Sequence, residues 1–199
     1  MILGVTGGIA CGKSTAVTML AQAGAVVVSA DELARRLVQP GSPVLRQLVE
    51  RFGQRIVAAD GSLDRPELGR IIFNDDAARR DLDAIMHPAI AALSRQELER
   101  ARQRAEAAAT IVVYEAPLLF EAGAEERVDK VLVISVDEQI QLQRLMARDQ
   151  CDENTARQRI AAHMAQKEKI RRADYVIDNS GDMVTLRRAV LELYRKLLE

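Results

Sequence analysis

Residues 2–15 read ILGVTGGIACGKST, an apolar run that stops at two glycines and passes into a helix-forming segment. The run at 2–6 predicts a buried parallel strand, and the segment from Lys13 onward predicts a helix. Residues 7–14 fit the spacing G-x-x-x-x-G-K-[ST], in the strand–turn–helix context that this pattern requires. The stretch therefore predicts a phosphate-binding loop, or P-loop, between the first strand and the first helix.

The residues of this loop suit a nucleoside triphosphate and its magnesium ion. Glycines let the backbone fold back, so that its N–H groups face phosphate oxygens. We expect Lys13 to reach the β- and γ-phosphates and Ser14 to bind Mg²⁺. Without a nucleotide we expect Lys13 to face solvent and to add little to stability. The loop residues expected to bind the nucleotide are Gly8, Ile9, Ala10, Cys11 (through its backbone N–H), Gly12, Lys13, Ser14 and Thr15.

Strand-like and helix-like segments alternate along the rest of the chain. Buried strands are predicted at 25–28, 111–114, 131–134 and 175–177, because these short runs are apolar on both faces. The segments between them have the pattern of helices. Helices are predicted at about 30–38 and 44–52, and another is predicted to begin after a cap at Asp64. Two more are predicted at 76–86 and 89–109, separated by a break at Pro88. The last three are predicted at 139–148, 153–171 and 184–198.

This alternation predicts an α/β fold of the P-loop nucleoside-triphosphate hydrolase type, with a five-stranded parallel sheet between two helical layers. One domain is expected over residues 1–199. Its core would comprise about 1–31, 89–137 and 173–199. A helical acceptor-binding insertion would occupy about 32–88, and a helical lid about 138–172.

Composition argues against several classes of function. The chain has 28 Lys and Arg against 29 Asp and Glu, so no global basic field attracts a nucleic acid. Aromatic residues make up 3% and Trp is absent, which argues against a base-stacking surface. Two distant cysteines without a C-x-x-C spacing argue against structural zinc and for a reduced, cytoplasmic chain. The apolar N-terminus has no basic stretch before it, so neither a signal peptide nor a membrane partner is expected. Monomer and homo-oligomer both stay open.

A P-loop by itself leaves GTPase, ATPase and kinase open. The chain has no N-K-x-D sequence, with which a GTPase would read guanine. A small kinase acting on a small acceptor fits the length best. Another small-molecule or nucleoside monophosphate kinase is the alternative enzyme. A nucleotide-dependent switch without turnover is the alternative from a different class.

Segments beyond the P-loop carry a family pattern. They include SAD at 29–31, EAPLLFE at 115–121 and ADYVIDN at 173–179. Together with residues 6–15, and in this order over nearly the whole chain, they resemble the dephospho-coenzyme A kinases. Two departures stand out, because the family usually has Asp where this chain has Ser29 and Glu115.

The resemblance implies a reaction and its cofactors. Members of this family transfer the γ-phosphate of ATP, with Mg²⁺, to the ribose 3′-hydroxyl of dephospho-CoA. The products are CoA and ADP, in the last step of coenzyme A biosynthesis. The resemblance also implies that Arg35, Pro117 and Leu118 belong to the acceptor site.

Three residues are predicted to be catalytic: Lys13, Asp31 and Arg144. Asp31 follows the second strand, where its carboxylate can accept a hydrogen bond from the acceptor hydroxyl. The alternative is an N-cap for the next helix. Arg144 and Arg148 share a helix face in a segment, 138–172, with eight Lys and Arg against five acidic residues. This excess predicts a basic lid, in which Arg144 stabilises transition-state charge and Arg148 binds the nucleotide.

Three further residues have competing interpretations. Glu115 is expected to bind the acceptor or a water of Mg²⁺, with a structural role beside Pro117 as the alternative. His87 is expected at a helix boundary, as a cap or in the acceptor pocket. Asn179 is expected to meet the adenine edge, with a turn as the alternative.

Overall fold

Five short strands rich in Val, Ile and Leu form the centre of the structure, a computed structural model that describes residues 1–73 and 75–199. They are β1 (Ile2–Gly7), β2 (Val26–Ser29), β3 (Val112–Glu115), β4 (Lys130–Ser135) and β5 (Tyr175–Asp178). All pair in parallel in the order β2-β3-β1-β4-β5. The predicted fold class is therefore confirmed. β1 is the central strand. Because all five strands are parallel, the loop that follows β1 lies at the carboxyl edge of the sheet, where ligands bind in open α/β folds.

Helices make up most of the remaining described residues. They are α1 (Lys13–Gln22), α2 (Ala30–Leu37), α3 (Pro43–Phe52), α4 (Arg65–Phe73), α5 (Asp76–Ala107), α6 (Glu138–Asp149), α7 (Glu153–Ala161), α8 (Gln166–Arg171) and α9 (Met183–Leu198). Single 3₁₀ turns lie at Gln54–Ile56 and Glu125–Arg127. The predicted cap of α4 is confirmed, since Asp64 Oδ1 accepts a hydrogen bond from Glu67 N at 2.9 Å. Within the described ranges, no helix combines the length and apolar character that crossing a membrane requires.

The chain forms two compact units, each with its own core. The first comprises Met1–Ser29 and Glu97–Glu199, and its core packs β1, β4, α1 and α9 together. The second comprises Ala30–Gln96, and its core is built from Val38 just after α2, from α3, the turn that follows it and α4, and from the start of α5. Leu48 and Ile56 are fully buried in that second core.

The predicted break at Pro88 is wrong, because α5 runs without interruption from Asp76 to Ala107. Pro88 lacks the N–H that would bond the Ala84 carbonyl, which weakens a helix at one point. In a helix of 32 residues, the turns before and after that point keep the segment helical.

The predicted helix over 153–171 is also wrong, since it is divided into α7 and α8. Two tertiary contacts replace the helical hydrogen bonds between them. Met164 N donates to Glu121 Oε1 at 3.1 Å. The Gln166 side-chain amide bonds both backbone groups of Val136, at 3.1 and 2.8 Å. Contacts with distant residues therefore override the local helical pattern.

Replacing Pro88 with alanine should stabilise the protein. The change restores a backbone N–H in α5 and is expected to raise the free energy of unfolding by about 1–3 kcal/mol. Urea unfolding followed by circular dichroism measures the difference. Gln96→Ala, at an exposed position of the same helix, is the control and should change stability by less than about 0.5 kcal/mol. A Pro88→Ala variant less stable than the parent would contradict the continuous helix.

Candidate active site

The P-loop joins β1 to α1 and has an unusual backbone. Ala10 and Gly12 have φ angles of +58° and +86°, whereas Ile9 and Cys11 do not have positive φ. Such alternation turns successive N–H groups toward one concave side, which suits an anion. Gly12 is also the N-cap of α1 and provides no side chain there, so the helix N-terminus faces the same side uncapped.

Two buried side-chain amides hold the carbonyl oxygens of this loop. Gln141 Nε2 donates to Ile9 O at 2.8 Å, and Asn179 Nδ2 donates to Cys11 O at 2.8 Å. When the N–H groups of a loop converge on an anion, its carbonyls point away and need donors of their own. Gln141 and Asn179 supply these donors from α6 and from the end of β5.

Gln141 was missed by sequence reasoning. Its position in α6 carries a signal, because it precedes the fully buried Leu145 by one turn and both residues lie on the buried face of the helix. A polar residue on a buried helix face needs a hydrogen-bond partner. The sequence gives no indication that this partner is the carbonyl of Ile9.

The structure gives Asn179 a contact that differs from the predicted one. Its amide nitrogen donates a hydrogen bond to the Cys11 carbonyl, and the residue is only 6% exposed. A Cβ atom on Gly12 would lie 2.1 Å from that nitrogen, so the glycine leaves space for the amide. This arrangement favours a role in shaping the loop, and the contact with adenine stays a prediction.

Lys13 is not solvent-facing, and that prediction is wrong. Its ammonium donates to Glu115 Oε1 at 2.8 Å, and the two side chains are 11% and 15% exposed. Ser14 Oγ donates to the same oxygen at 3.2 Å. The pairing of Val5 in β1 with Glu115 in β3 places the carboxylate beside the P-loop.

The oxygen atoms beside Lys13 fit a magnesium ion. Ser14 supplies a hydroxyl and Glu115 a carboxylate, and both are the hard donors that Mg²⁺ prefers. In kinases the ion takes one or two protein ligands, and phosphates and water fill the rest of its coordination shell. Ser14 and Glu115 are therefore the residues that could hold the ion.

Cys11 has the character of a packing residue. Its side chain is 1% exposed, and burial raises the pKa of its thiol above the ordinary value. A Cβ on Gly7 would lie 2.6 Å from the Cys11 sulfur and 2.4 Å from the carbonyl oxygen of Ile134. The thiol therefore stays protonated and fills space beneath the loop.

The loop after β3, residues 116–124, is anchored to the strand that leads into the P-loop. We call it the β3 exit loop. Thr6 Oγ1 donates to Pro117 O at 3.1 Å, and Ala116 N donates to Val5 O at 3.1 Å. Leu118, the next residue, is 40% exposed. Two residues of this loop were predicted for the acceptor site: Pro117 is fixed by its carbonyl, and Leu118 offers an apolar side chain to solvent.

The two lid arginines differ in their contacts. Arg148 forms a two-point pair with Asp149, with Nε 2.7 Å from Oδ1 and Nη2 3.3 Å from Oδ2. Arg144 is half-buried, and in the ranges 1–73 and 75–199 it forms no ion pair. An incoming phosphate can therefore bind the Arg144 guanidinium without first breaking an ion pair.

The second unit carries the remaining predicted residues. Asp31 lies in the first turn of α2, is exposed, and its carboxylate bonds no described residue. Because α2 begins at Ala30, the N-cap alternative for Asp31 is wrong. Arg35 follows one turn later and is exposed. His87 lies in the middle of α5, with Nε2 3.5 Å from Asp83 Oδ1, so its predicted place at a helix boundary is wrong.

A P-loop after the central strand of a parallel sheet, with a lysine and a hydroxyl beside one carboxylate, is typical of the P-loop class of proteins that bind nucleoside triphosphates. Comparisons with known proteins narrow this class. The family model for dephospho-CoA kinase matches residues 1–185. The chain therefore belongs to the dephospho-CoA kinase family, as the resemblance indicated.

Individual relatives are similar to this chain over almost their whole length. The dephospho-CoA kinase of Syntrophotalea carbinolica is 52% identical over 198 residues, which cover 100% of this chain and 92% of the relative. That of Geobacter sulfurreducens is 47% identical and covers 98% of each. The solved dephospho-CoA kinase from Campylobacter jejuni superposes with a TM-score of 0.74 at 28% identity, over 98% of this chain and 96% of its own. Shikimate kinase from Acinetobacter baumannii, with a TM-score of 0.54 at 16% identity, over 99% of this chain and 92% of its own, shares the fold alone.

Replacing Lys13 with alanine should affect both activity and stability. Loss of the ammonium should lower turnover by at least about 10²–10³-fold. It also leaves the mostly buried Glu115 carboxylate without its cation, so the free energy of unfolding should fall by about 1–3 kcal/mol. Urea unfolding and a coupled ADP assay measure the two effects. The double variant Lys13→Ala/Glu115→Gln should regain stability but not turnover. A single variant as stable as the parent would contradict the ion pair.

Replacing Asn179 with alanine separates loop shaping from adenine recognition. If its amide shapes the loop, affinities for ATP and GTP should both fall by about tenfold, the effect of one lost buried hydrogen bond. If the amide reads adenine, only the affinity for ATP should fall. Calorimetric titration with the two nucleotides measures the ratio. A loss confined to ATP would sink the loop-shaping role.

Proposed function

We propose that this chain transfers the γ-phosphate of ATP to the ribose 3′-hydroxyl of dephospho-CoA, giving CoA and ADP. This is the final step of coenzyme A biosynthesis. The observation that carries the proposal is the group of Lys13, Ser14 and Glu115 on a P-loop of the correct shape, in a chain of the dephospho-CoA kinase family. Family membership supports ATP as donor, and the oxygen donors of Ser14 and Glu115 support Mg²⁺ as its counterion.

The loop and Lys13 bind the phosphates in this proposal. The concave backbone and the N-terminus of α1 accept the anionic groups. When ATP arrives, Lys13 exchanges the Glu115 carboxylate for the β- and γ-phosphate oxygens. Glu115 and Ser14 are the residues that would hold Mg²⁺, and the ion would neutralise part of the phosphate charge. The resting contact between Lys13 and Glu115 keeps both charges compensated until that exchange.

Asp31 and Arg144 act on the transferred group. The acceptor oxygen forms a bond to the γ-phosphorus while the bond to the β–γ bridging oxygen breaks, and ADP leaves. Asp31 accepts the proton of the acceptor hydroxyl and orients that oxygen in line. Arg144 supplies positive charge as the transition state becomes metaphosphate-like. The lid segment, 138–172, brings Arg144 and Arg148 to the nucleotide.

A single incubation tests the proposed reaction. The purified chain is mixed with ATP, Mg²⁺ and dephospho-CoA, and the products are identified by mass spectrometry. We expect CoA and ADP in equal amounts, and no transfer to a dephospho-CoA analogue that lacks the 3′-hydroxyl. Lys13→Ala is the inactive control. Preferential transfer to a nucleoside monophosphate, or ATP binding without transfer to any acceptor, would contradict the proposal.

Replacing Asp31 with asparagine tests its catalytic role. The amide keeps the size of the side chain but is a poor acceptor for the hydroxyl proton, so kcat should fall by about 10²-fold or more. Because Asp31 is exposed and its carboxylate bonds no described residue, the free energy of unfolding should change by less than about 0.5 kcal/mol. ATP affinity should persist, since the P-loop is untouched. An unchanged kcat would remove Asp31 from the mechanism.

A further inference from the structure

The carbonyl oxygen of Pro117 accepts two hydrogen bonds, one from β1 and one from α8. Thr6 Oγ1, at the end of β1, donates at 3.1 Å. Lys169 Nζ, on α8, donates at 3.0 Å. The carbonyl belongs to the β3 exit loop, two residues after Glu115. One backbone atom thus joins the strand leading into the P-loop, the strand end that carries Glu115, and the last helix of the lid segment.

Lys169 is fully buried and its ammonium is completely bonded. Besides Pro117 O, it lies 2.8 and 3.2 Å from the two carboxylate oxygens of Glu121. An ammonium has three N–H donors, so these three acceptors satisfy it. Burial opposes ionisation of Glu121, but the hydrogen bond from Lys169 keeps the pKa of that carboxyl below its ordinary value. Lys169 therefore fixes the β3 exit loop at two points, Pro117 and Glu121.

Further contacts join α8 to the same loop. Glu121 Oε1 also accepts a hydrogen bond from Met164 N, just before α8. Arg172, just after α8, pairs with Glu125, and its guanidinium lies 4.4 Å from the centre of the Phe120 ring. Residues before, within and after α8 therefore each contact the β3 exit loop.

Stability alone does not account for a buried lysine at this position. Removing an ammonium and a carboxylate from water costs free energy that their attraction often fails to recover. Apolar residues of the same volume commonly give an equal or higher stability. The ion pair does provide a fixed direction, because Lys169 bonds the Pro117 carbonyl and the Glu121 carboxylate at the same time and so fixes where that carbonyl lies.

We propose that Lys169 is a positioning residue for phosphoryl transfer, which holds the Pro117 carbonyl and Glu121 so that Glu115 stays in place beside Lys13 and Ser14. This inference rests on the proposed function of the same site. Lys169, at the buried end of the lid segment, thus has a role distinct from that of Arg144. Lys169 acts through Glu115 and does not touch the nucleotide.

The decisive variant removes both charges and keeps the shape. In Lys169→Met/Glu121→Gln no unpaired charge remains, and the amide oxygen introduced at position 121 can still accept from Met164 N. We expect a thermal midpoint close to that of the parent and unchanged ATP affinity in the absence of Mg²⁺. We expect kcat to fall by about 10–100-fold, the cost of a misplaced catalytic group. The Mg²⁺ concentration for half-maximal rate should rise, because Glu115 is no longer held in place.

A matched control uses a similar pair elsewhere in the same unit. Lys130 Nζ lies 2.9 Å from Asp174 Oδ1, and Asp174 also accepts from Val131 N at 2.8 Å. This pair has the same chemistry but its side chains are 47% and 35% exposed. Lys130 begins β4, at the edge of the sheet opposite the P-loop. Lys130→Met/Asp174→Asn should leave kcat and the Mg²⁺ dependence unchanged.

A second variant removes the other hydrogen bond to the same carbonyl. Thr6→Val removes the hydroxyl donor to Pro117 with little change of volume and no change of charge. It too should lower kcat while ATP affinity is retained. Rates are divided by the ATP-binding stoichiometry, so that an unfolded fraction of any variant does not count.

The outcomes separate this inference from the proposed function. The parent chain reports on the function, because failure to phosphorylate dephospho-CoA overturns that proposal whatever the variants do. The variants are compared with the parent on the acceptor that it does phosphorylate. A kcat and Mg²⁺ dependence equal to the parent's, in either Lys169→Met/Glu121→Gln or Thr6→Val, would overturn the positioning role of Lys169.

Discussion

The structure depends on the way the carbonyl oxygens of the P-loop are satisfied. A loop whose N–H groups gather around an anion has carbonyls that point into the protein, where each unbonded one would cost about 1–3 kcal/mol. Gln141 and Asn179 meet this need, and they come from different elements, α6 and the end of β5. The phosphate site is therefore shaped by residues that follow it by more than 120 positions. Its form therefore depends on the folded chain bringing α6 and the end of β5 beside the loop.

The same edge of the sheet brings opposite charges together. β3 ends beside β1, so the pairing of the two strands brings Glu115 to Lys13 and Ser14. In the ligand-free chain the ammonium and the carboxylate compensate each other. In the proposed function, a triphosphate with its magnesium ion would replace both partners at once. The resting ion pair is thus consistent with a site that stays folded when empty and exchanges partners on binding.

Local signals in the sequence predicted the parts of this site that are continuous in the chain. The P-loop spacing, the five apolar strands and the cap at Asp64 were all confirmed, because each depends on neighbouring residues. The contacts of Gln141 and Lys169 were not predictable, since their partners are 132 and 52 residues away. The division between α7 and α8 was missed for the same reason, as it depends on Glu121. At Pro88 a local rule failed because a long helix tolerates one missing hydrogen bond.

The central claim is that the P-loop has its phosphate-binding shape before any ligand arrives. Backbone ¹⁵N relaxation of the ligand-free chain, read at residues 8–13, tests it most directly. Loop carbonyls held by buried amides predict order parameters near those of the sheet, about 0.85. Values below about 0.6 at Ile9 to Gly12 would mean a flexible loop. That result would contradict the shaping role given to Gln141 and Asn179.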